Sequence, residues 1–389
     1  MKQHIAVIGA GAFGGWTALM LQRRGFRVTL VEAWSAGNSR ASSGDENRII
    51  RSVYADRIYV EMAQRSAQLW LENEAQFGGM KIFHPVGVLN LNGRDATRWT
   101  AAAKHFQDLG INFLDFSPKE AAKRYPFIHF DGIENVSLEV GGGYLLARMG
   151  CYVVAQAFVR EGGTLKIADA RPLSILNERL EGVRLSDGST LVADQYIFAC
   201  GAWLGKIFPS EIGQKIRPTR QEVFYFGVPS GSNILSQLPV WCDYGAYKSD
   251  VLLYGIPASG SDAVGRGFKV GKDVAGADFD PDDDERLVSP HFLKEIRDFV
   301  AHRFPILRGA PLIESRVCQY ENTPDAHFIL DKLPTAANVW IVGGGSGHGY
   351  KHGAAVGEMM ADLLLEKRTV EPTFSFARFS GALHKVERR

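Results

Sequence analysis

Cysteine is scarce in this chain. Its 389 residues include four cysteines, at positions 151, 200, 242 and 318, too far apart in sequence to form a close metal-binding pair. This distribution does not suggest the disulfide framework of a small secreted protein, and no metal site is predicted. A reduced, cytoplasmic compartment is therefore the expectation.

Long apolar runs and an excess of one charge are lacking too. No apolar segment reaches the roughly 18–20 residues that a membrane-spanning helix needs. The apolar stretch after Lys2 runs into glycines and a helix instead of a cleavage site, so a signal peptide is not expected. The formal net charge is +1, and the lysines and arginines are dispersed. These features predict neither a nucleic-acid nor a membrane partner.

A β–α–β pattern opens the sequence. Residues 4–9 form an apolar run typical of a buried strand, a helix is predicted over 12–24, and a second buried strand covers 26–32. A strand, a glycine loop and an amphipathic helix recur over 339–365, so a nucleotide-binding domain must be discontinuous. Further helices are predicted over 56–78, 150–161 and 288–303, and further strands over 164–168, 181–185 and 190–200.

The loop after the first strand fits the pattern G-x-G-x-x-G, with Gly9, Gly11 and Gly14 at its fixed positions. These glycines allow a tight turn, close approach of the backbone to a pyrophosphate, and close packing of helix on strand. Glu32 follows about 20 residues on, where a carboxylate can accept hydrogen bonds from a ribose diol. The pattern predicts a dinucleotide and disfavours NADP, but it does not separate NAD from FAD. The alternative is a plain glycine-rich turn with Glu32 as a solvated charge.

Four distant segments carry a family resemblance. They are residues 42–51 (SSGDENRIIR), 199–203 (ACGAW), 318–331 (CQYENTPDAHFILD) and 345–351 (GSGHGYK). In order and approximate spacing they resemble the monomeric sarcosine oxidase and N-methyltryptophan oxidase family of FAD-dependent enzymes, over nearly the whole chain. The chain departs from that family at Ser43 and Asp273, where histidines are usual, and by one extra residue at 46–47.

The resemblance implies an α/β fold with two parts. A Rossmann-type FAD-binding domain would comprise residues 1–80, 150–218 and 323–389. A substrate domain of the α+β type, built on a mixed sheet, would comprise 81–149 and 219–322. Simple oxidases of this kind are often monomers, which is the expected state here.

The resemblance also implies which residues hold FAD. Cys318 matches the cysteine that is linked covalently to the flavin; the alternative is a small buried cysteine, the usual fate of a lone one. Cys200 is interpreted as a packing residue. The predicted FAD contacts are Gly9, Gly11, Ala12, Phe13, Gly14, Glu32, Ala33, Ser42, Ser43, Arg48, Pro172, Gly201, Trp203, Cys318, Gly345, Gly347, His348, Gly349 and Lys351.

Two cations are the candidates for binding a substrate carboxylate, and a third for the reaction with oxygen. Arg51 can bind a carboxylate bidentately and Lys351 adds a point charge, unless both are surface ion-pair residues. Lys269 matches a lysine that lies over the flavin ring and promotes its reaction with oxygen. A strand lysine that extends its ammonium to solvent is the alternative for Lys269.

Four more residues complete the predicted catalytic set. By resemblance, Arg48 lies below the flavin ring, and Tyr254 and Tyr320 line the substrate pocket, although strand tyrosines are often core residues. Asp273 would favour a substrate that is larger or more basic than sarcosine; equally, it could pair with Lys272 or face solvent. His348 could support the flavin loop or act directly.

The implied reaction is oxidation of the C–N bond of a secondary amine or an N-substituted or cyclic amino acid. The products would be an imine and, from O₂, hydrogen peroxide. The alternatives are a deglycating fructosyl amino acid oxidase and an FAD dehydrogenase that uses another electron acceptor. A non-catalytic flavin-binding regulator and an NAD-linked dehydrogenase explain fewer of the motifs.

Overall fold

The computed structural model describes residues 2–93, 97–228, 235, 238–245, 247, 251–257 and 267–384. The α-helices within this part of the chain are α1 (Ala12–Arg23), α2 (Arg57–Glu72), α3 (Thr97–Leu109), α4 (Pro118–Arg124), α5 (Ala147–Arg160), α6 (Leu204–Ile207), α7 (Pro290–Arg303) and α8 (Gly353–Leu364).

The strands are numbered in chain order. The first eleven are β1 (His4–Ile8), β2 (Arg27–Glu32), β3 (Asn47–Ile50), β4 (Phe83–His84), β5 (Val88–Asn92), β6 (Phe113–Phe116), β7 (Asn135–Glu139), β8 (Gly143–Leu146), β9 (Thr164–Ile167), β10 (Ala170–Pro172) and β11 (Ile175–Leu176). The remaining strands are β12 (Arg179–Leu180), β13 (Val183–Leu185), β14 (Thr190–Leu191), β15 (Gln195–Phe198), β16 (Arg217–Phe226), β17 (Val240–Tyr244), β18 (Leu252–Ile256), β19 (Phe268–Asp273), β20 (Leu312–Asn322), β21 (Ile329–Lys332) and β22 (Val339–Gly343).

A six-stranded sheet carries the glycine loop. Its strand order is β21-β22-β15-β1-β2-β9, and β21 is antiparallel to the five parallel strands. The side chains of β1 alternate: Ile5 and Val7 pack in the core that includes α1, whereas Ala6 and Ile8 pack in the core on the other face. Both faces are covered, which explains why β1 is apolar throughout. Because β2 and β15 flank β1 on opposite sides, the carboxyl end of β1 opens into a crevice.

A second, eight-stranded sheet has the order β20-β16-β19-β18-β17-β5-β7-β6, in which only β5 and β17 pair in parallel. Helix α7 and the residue after it pack against this sheet through aromatic contacts: the ring centroids of Trp241 and Phe299 are 5.7 Å apart, and those of Trp241 and Phe304 are 4.9 Å apart. Side chains alternate along a strand, so Lys269, Gly271 and Asp273 of β19 share one face. The α/β fold with a mixed second sheet is thus confirmed, and the domain boundaries stay a prediction.

One predicted strand, over residues 190–200, was wrong as a single element. Residues 190–191 form β14, which pairs with β13, whereas residues 195–198 form β15 in the six-stranded sheet. The chain changes sheets between them. There, Asp194 accepts a hydrogen bond from the backbone N–H of His4 (2.6 Å), and the Tyr196 hydroxyl accepts one from Ala193 (2.8 Å). Apolar periodicity does not detect such a change of partner.

Among the described residues, none of the helices is both long and apolar enough to cross a bilayer.

A substitution at Gly14 tests how closely α1 packs on the glycine loop. A Cβ atom at Gly14 would lie 1.9 Å from the carbonyl oxygen of Gly9, so α1 could no longer pack on the loop. We expect Gly14→Ala to lower the free energy of unfolding by about 1–3 kcal/mol in denaturant titrations. The control is Gly15→Ala, whose Cβ would make an ordinary 3.5 Å contact with Val154. Equal stabilities of the two variants would contradict this packing role.

Candidate active site

The glycine loop is fixed to the second strand by Glu32. Gly9 has φ +102°, a conformation that favours glycine, and its N–H donates to Val31. One Glu32 carboxylate oxygen accepts from the N–H of Ala10 (2.8 Å), and the other from the N–H of Trp34 (3.2 Å). Burial raises the pKa of Glu32, although these N–H groups oppose the shift. The carboxylate is therefore held at the mouth of the loop.

A cavity of about 400 Å³ extends from this loop to the eight-stranded sheet. All the predicted catalytic residues line it: Arg48, Arg51, Tyr254, Lys269, Asp273, Tyr320 and Lys351. The predicted FAD contacts line it as well, with two exceptions. Gly14 packs beneath the loop, and Pro172 lies beside the lining residues Ala170 and Arg171. Side chains from distant parts of the sequence thus meet around one space.

The buried carboxylate of Asp45 joins the loop over residues 42–51 to the eight-stranded sheet. It accepts hydrogen bonds from Arg48 (2.5 Å), from Lys269 (2.6 Å) and from the Tyr225 hydroxyl (2.6 Å). Burial alone would raise the pKa of Asp45, but the charges of Lys269 and Arg48 outweigh burial and hold that pKa well below its ordinary value. Asp45 is thus ionised across the working pH range.

Lys269 is consequently bound within the protein. Its side chain is 1% exposed, and besides Asp45 it donates to the backbone oxygen of Asn47 (2.8 Å) and to the side-chain oxygen of Asn47 (3.1 Å). Burial lowers the pKa of Lys269 to about 8, against the opposing effect of Asp45. The alternative of a lysine that extends to solvent is excluded. The ammonium lines the cavity as half of an ion pair.

The Tyr54 hydroxyl connects the second group of cations. It lies 3.1 Å from the Lys351 ammonium, 3.2 Å from His348 Nδ1 and 3.3 Å from His352 Nε2. The guanidinium of Arg51 lies over the Tyr54 ring, 5.1 Å from its centroid. Arg51 and Lys351 are 5% and 7% exposed, so neither is a surface ion-pair residue. His348 also contacts the Ala326 carbonyl (3.0 Å), which gives it a role in holding the loop.

Cys318 lies on β20, close to the loop over residues 42–51. Its sulfur is 3.8 Å from an Arg48 guanidinium nitrogen and 3.8 Å from the carbonyl oxygen of Ser42. It lines the cavity as a free thiol. Cys200 lines the cavity too, but burial raises its pKa strongly, and its sulfur faces the carbonyl oxygen of Ile8 (3.4 Å). The Cys318 sulfur thus lies against the Arg48 guanidinium, whereas the Cys200 sulfur lies against a backbone carbonyl.

Asp273 is buried at the far end of β19 and lines the cavity. Its neighbour Lys272 points elsewhere and forms an ion pair with Glu295 (2.5 Å). The solvent-facing alternative for Asp273 is therefore excluded, and the cavity contains acidic as well as basic groups.

Two glutamates whose pKa is raised, the buried Glu139 and the partly buried Glu321, were not predicted. Both carboxylate oxygens of Glu139 accept from the Ser52 N–H (2.9 Å each), directly after Arg51, and burial raises its pKa to about 7. Burial also raises the pKa of Glu321 to about 7, and a Cβ at Gly345 would lie 3.0 Å from its carboxylate. The available signal was weak: Glu139 is a charge within an apolar strand, and Glu321 lies inside a motif that was already identified.

The cavity fits a flavin dinucleotide. Its glycine loop leaves space where side chains would intrude: a Cβ at Gly11 would lie 3.3 Å from the Ser43 hydroxyl, which itself accepts from the Ala12 N–H (3.1 Å) at the start of α1. That helix terminus suits a pyrophosphate, and Glu32 suits a ribose diol. Arg48, Lys269 and Cys318 then surround the space for the ring.

The chain belongs to the FAD dependent oxidoreductase family, whose model matches residues 4–363. It is therefore an FAD-dependent enzyme. The chain is similar to a monomeric sarcosine oxidase of Bacillus sp. strain B-0618, with 30% identity over 95% of this chain and 94% of the relative. It is also similar to an N-methyl-L-tryptophan oxidase of Salmonella arizonae, with 24% identity over 97% of this chain and 98% of the relative.

Among solved structures, the fold is similar to that of an L-proline dehydrogenase from P. horikoshii. The TM-score is 0.83, with 21% identity over 99% of both chains. The predicted resemblance to the sarcosine oxidase and N-methyltryptophan oxidase family is confirmed.

Glu139 should make anion binding dependent on pH. As the pH rises through about 7, its carboxyl becomes negative beside Arg51 and Lys351, whose charges oppose its raised pKa. We expect the affinity for acetate, measured by perturbation of the flavin spectrum, to fall about three- to tenfold between pH 6 and 8.

The matched variant for this effect is Glu139→Gln, which keeps one acceptor oxygen for the Ser52 N–H but cannot ionise. In this variant the decline should begin only near pH 8, where Lys269 loses its charge. A wild-type affinity that stays constant from pH 6 to 8, or identical profiles for both proteins, would contradict the role given to Glu139.

Proposed function

We propose that this enzyme oxidises the C–N bond of an N-substituted or cyclic amino acid to an imine. The observation that carries the proposal is the placement of Arg51 and Lys351, both buried, in the cavity that fits the flavin. The names of the two similar oxidases, which act on N-methyl amino acids, support this substrate class.

The protein's own part is binding and orientation. The bound flavin supplies a two-electron acceptor. Arg51 can bind the substrate carboxylate through two N–H groups, and Lys351 adds a second positive charge. These cations disfavour an ammonium next to them, so the amine binds in its neutral, oxidisable form. Tyr254 and Tyr320 line the pocket, and a cationic group elsewhere on the substrate would bind Asp273.

A substrate panel tests this assignment. We expect N-methyl and cyclic amino acids with large or basic side chains to give a higher kcat/KM than sarcosine, and Asp273→Asn to reduce that preference about tenfold. Arg51→Gln should raise KM for every amino acid, because the carboxylate loses its bidentate partner. Arg57→Gln, a change at a half-exposed helix residue, is the control. If sarcosine proves best and basic N-alkyl amino acids are inert, the role of Asp273 is wrong.

We further propose that the flavin is attached to Cys318 and that the enzyme is a cytoplasmic monomer. The Cys318 sulfur lines the cavity and lies 3.8 Å from a nitrogen of the Arg48 guanidinium, beside the space proposed for the flavin ring, which supports this proposal. Acid precipitation should give a yellow pellet from the wild type and a colourless one from Cys318→Ala. Cys200→Ala, a change at a cavity cysteine whose sulfur lies against the carbonyl oxygen of Ile8, should stay yellow. A colourless wild-type pellet would contradict the linkage.

Molecular oxygen is the proposed acceptor, with hydrogen peroxide as product. A cation beside the reduced cofactor stabilises negative charge that develops on oxygen, and Lys269 provides one. The ion pair between Lys269 and Asp45 favours the alternative of a dehydrogenase, because an ammonium whose charge is balanced by a carboxylate stabilises negative charge on oxygen less.

Stopped-flow reoxidation by air separates the two. An oxidase should be reoxidised rapidly, and Lys269→Met should slow this step about 100-fold or more. Lys272→Met, at the next cation on the same strand, should have little effect, because Lys272 is paired with Glu295. Slow reoxidation of the wild type, with rapid reduction of an artificial quinone, would establish the dehydrogenase.

A further inference from the structure

Three metal-ligating side chains meet on the surface, outside the cavity. His129 and Asp131 lie on the loop between α4 and β7, and His302 lies in the last turn of α7. One ligand atom from each side chain lies within 4.8 Å of the other two. His129 Nε2 and a carboxylate oxygen of Asp131 are 3.6 Å apart. Among the residues that the structure describes, this is the one group of three His, Cys, Asp or Glu side chains with such geometry.

The backbone around this group is held by a buried arginine. Arg303 follows His302 directly and is 0% exposed, with its charge balanced by Asp243 (2.8 Å). Its guanidinium donates to the carbonyl oxygens of His129 and Asp131, and its own carbonyl accepts from the His129 N–H (2.9 Å). The loop and the helix end are thus fixed against each other before any ligand binds. Such preorganisation lowers the entropic cost of binding.

The donor set selects the kind of ligand. Two imidazoles and one carboxylate suit borderline cations such as Zn²⁺, Co²⁺ and Ni²⁺, whereas Mg²⁺ and Ca²⁺ prefer oxygen ligands alone. The ring centroids of His129 and His302 are 5.0 Å apart and the ring planes are inclined by 68°, so the two rings meet edge to face and are not stacked. The His302 ring also packs on the Tyr247 ring (4.6 Å). Three protein ligands would leave a further coordination position for water.

We propose that His129, Asp131 and His302 form a binding site for a divalent transition-metal cation, Zn²⁺ above all. None of the three lines the flavin cavity, so the site is independent of the proposed reaction. Bound metal would tie the loop to α7. Through Arg303 and Asp243 it would also stabilise β17, which supplies the cavity residue Cys242.

The test uses the full-length flavoprotein without an affinity tag. In calorimetric titration with ZnCl₂, we expect one equivalent to bind, with Mg²⁺ giving no signal. His129→Ala and His302→Ala should each weaken binding at least tenfold, and Asp131→Asn should weaken it as well. His291→Ala is the matched control, because His291 is an exposed histidine at the start of the same helix.

Two further readouts keep the proposal falsifiable. Co²⁺ should give visible absorption bands in the wild type that are absent in His302→Ala, which reports coordination by this histidine. Zn²⁺ should raise the thermal midpoint of the wild type and of His291→Ala, but not of His129→Ala or His302→Ala. Binding in His302→Ala that equals wild-type binding, or wild-type binding no tighter than that of Mg²⁺, would overturn the proposal.

Discussion

The interaction on which the site depends is the hydrogen bonding of several positive groups to the carboxylate of Asp45. Arg48 comes from β3 and Lys269 from β19, and Arg316 of β20 lies 3.5 Å from the same carboxylate. Without Asp45, buried cations would be left uncompensated, which is strongly unfavourable. The Asp45 carboxylate therefore holds the loop over residues 42–51 against the eight-stranded sheet. The two parts of the molecule are joined by charge as well as by apolar packing.

The cations that line the cavity form two groups. Arg48 and Lys269 are both paired with Asp45, so they shape the space for the ring but offer little uncompensated charge. In the second group, the Arg51 guanidinium lies over the Tyr54 ring and the Lys351 ammonium contacts the Tyr54 hydroxyl. A small anion is favoured beside this second group. The direction in which a substrate lies follows from this difference.

The sequence predicted the elements whose signals are local. The strand, glycine loop and helix over residues 4–24 are one continuous segment, and the motif loops at 42–51, 318–331 and 345–351 could be matched to a family. The partners of the motif residues were harder to predict. That Asp45 binds Lys269 depends on a contact across 224 positions of sequence, and that Glu139 supports Ser52 depends on one across 87. The sequence pattern around a glutamate in a strand is the same whether the side chain is solvated or buried. Only the packed structure distinguishes a buried glutamate from a solvated one.

The six-stranded sheet has a consequence for how the protein is made. Strands β1 and β2 are synthesised first, yet β22 adds to the sheet beyond β15, and α8 packs against α1. The residues that complete the cofactor-binding half therefore leave the ribosome after nearly all the rest. Until then, the apolar face of α1 lacks the contact with α8, and the cavity lacks the wall formed by residues 345–351. Flavin capture should thus be among the last events in the biogenesis of the enzyme, because a chain interrupted before residue 339 would lack β22, α8 and the cavity wall formed by residues 345–351.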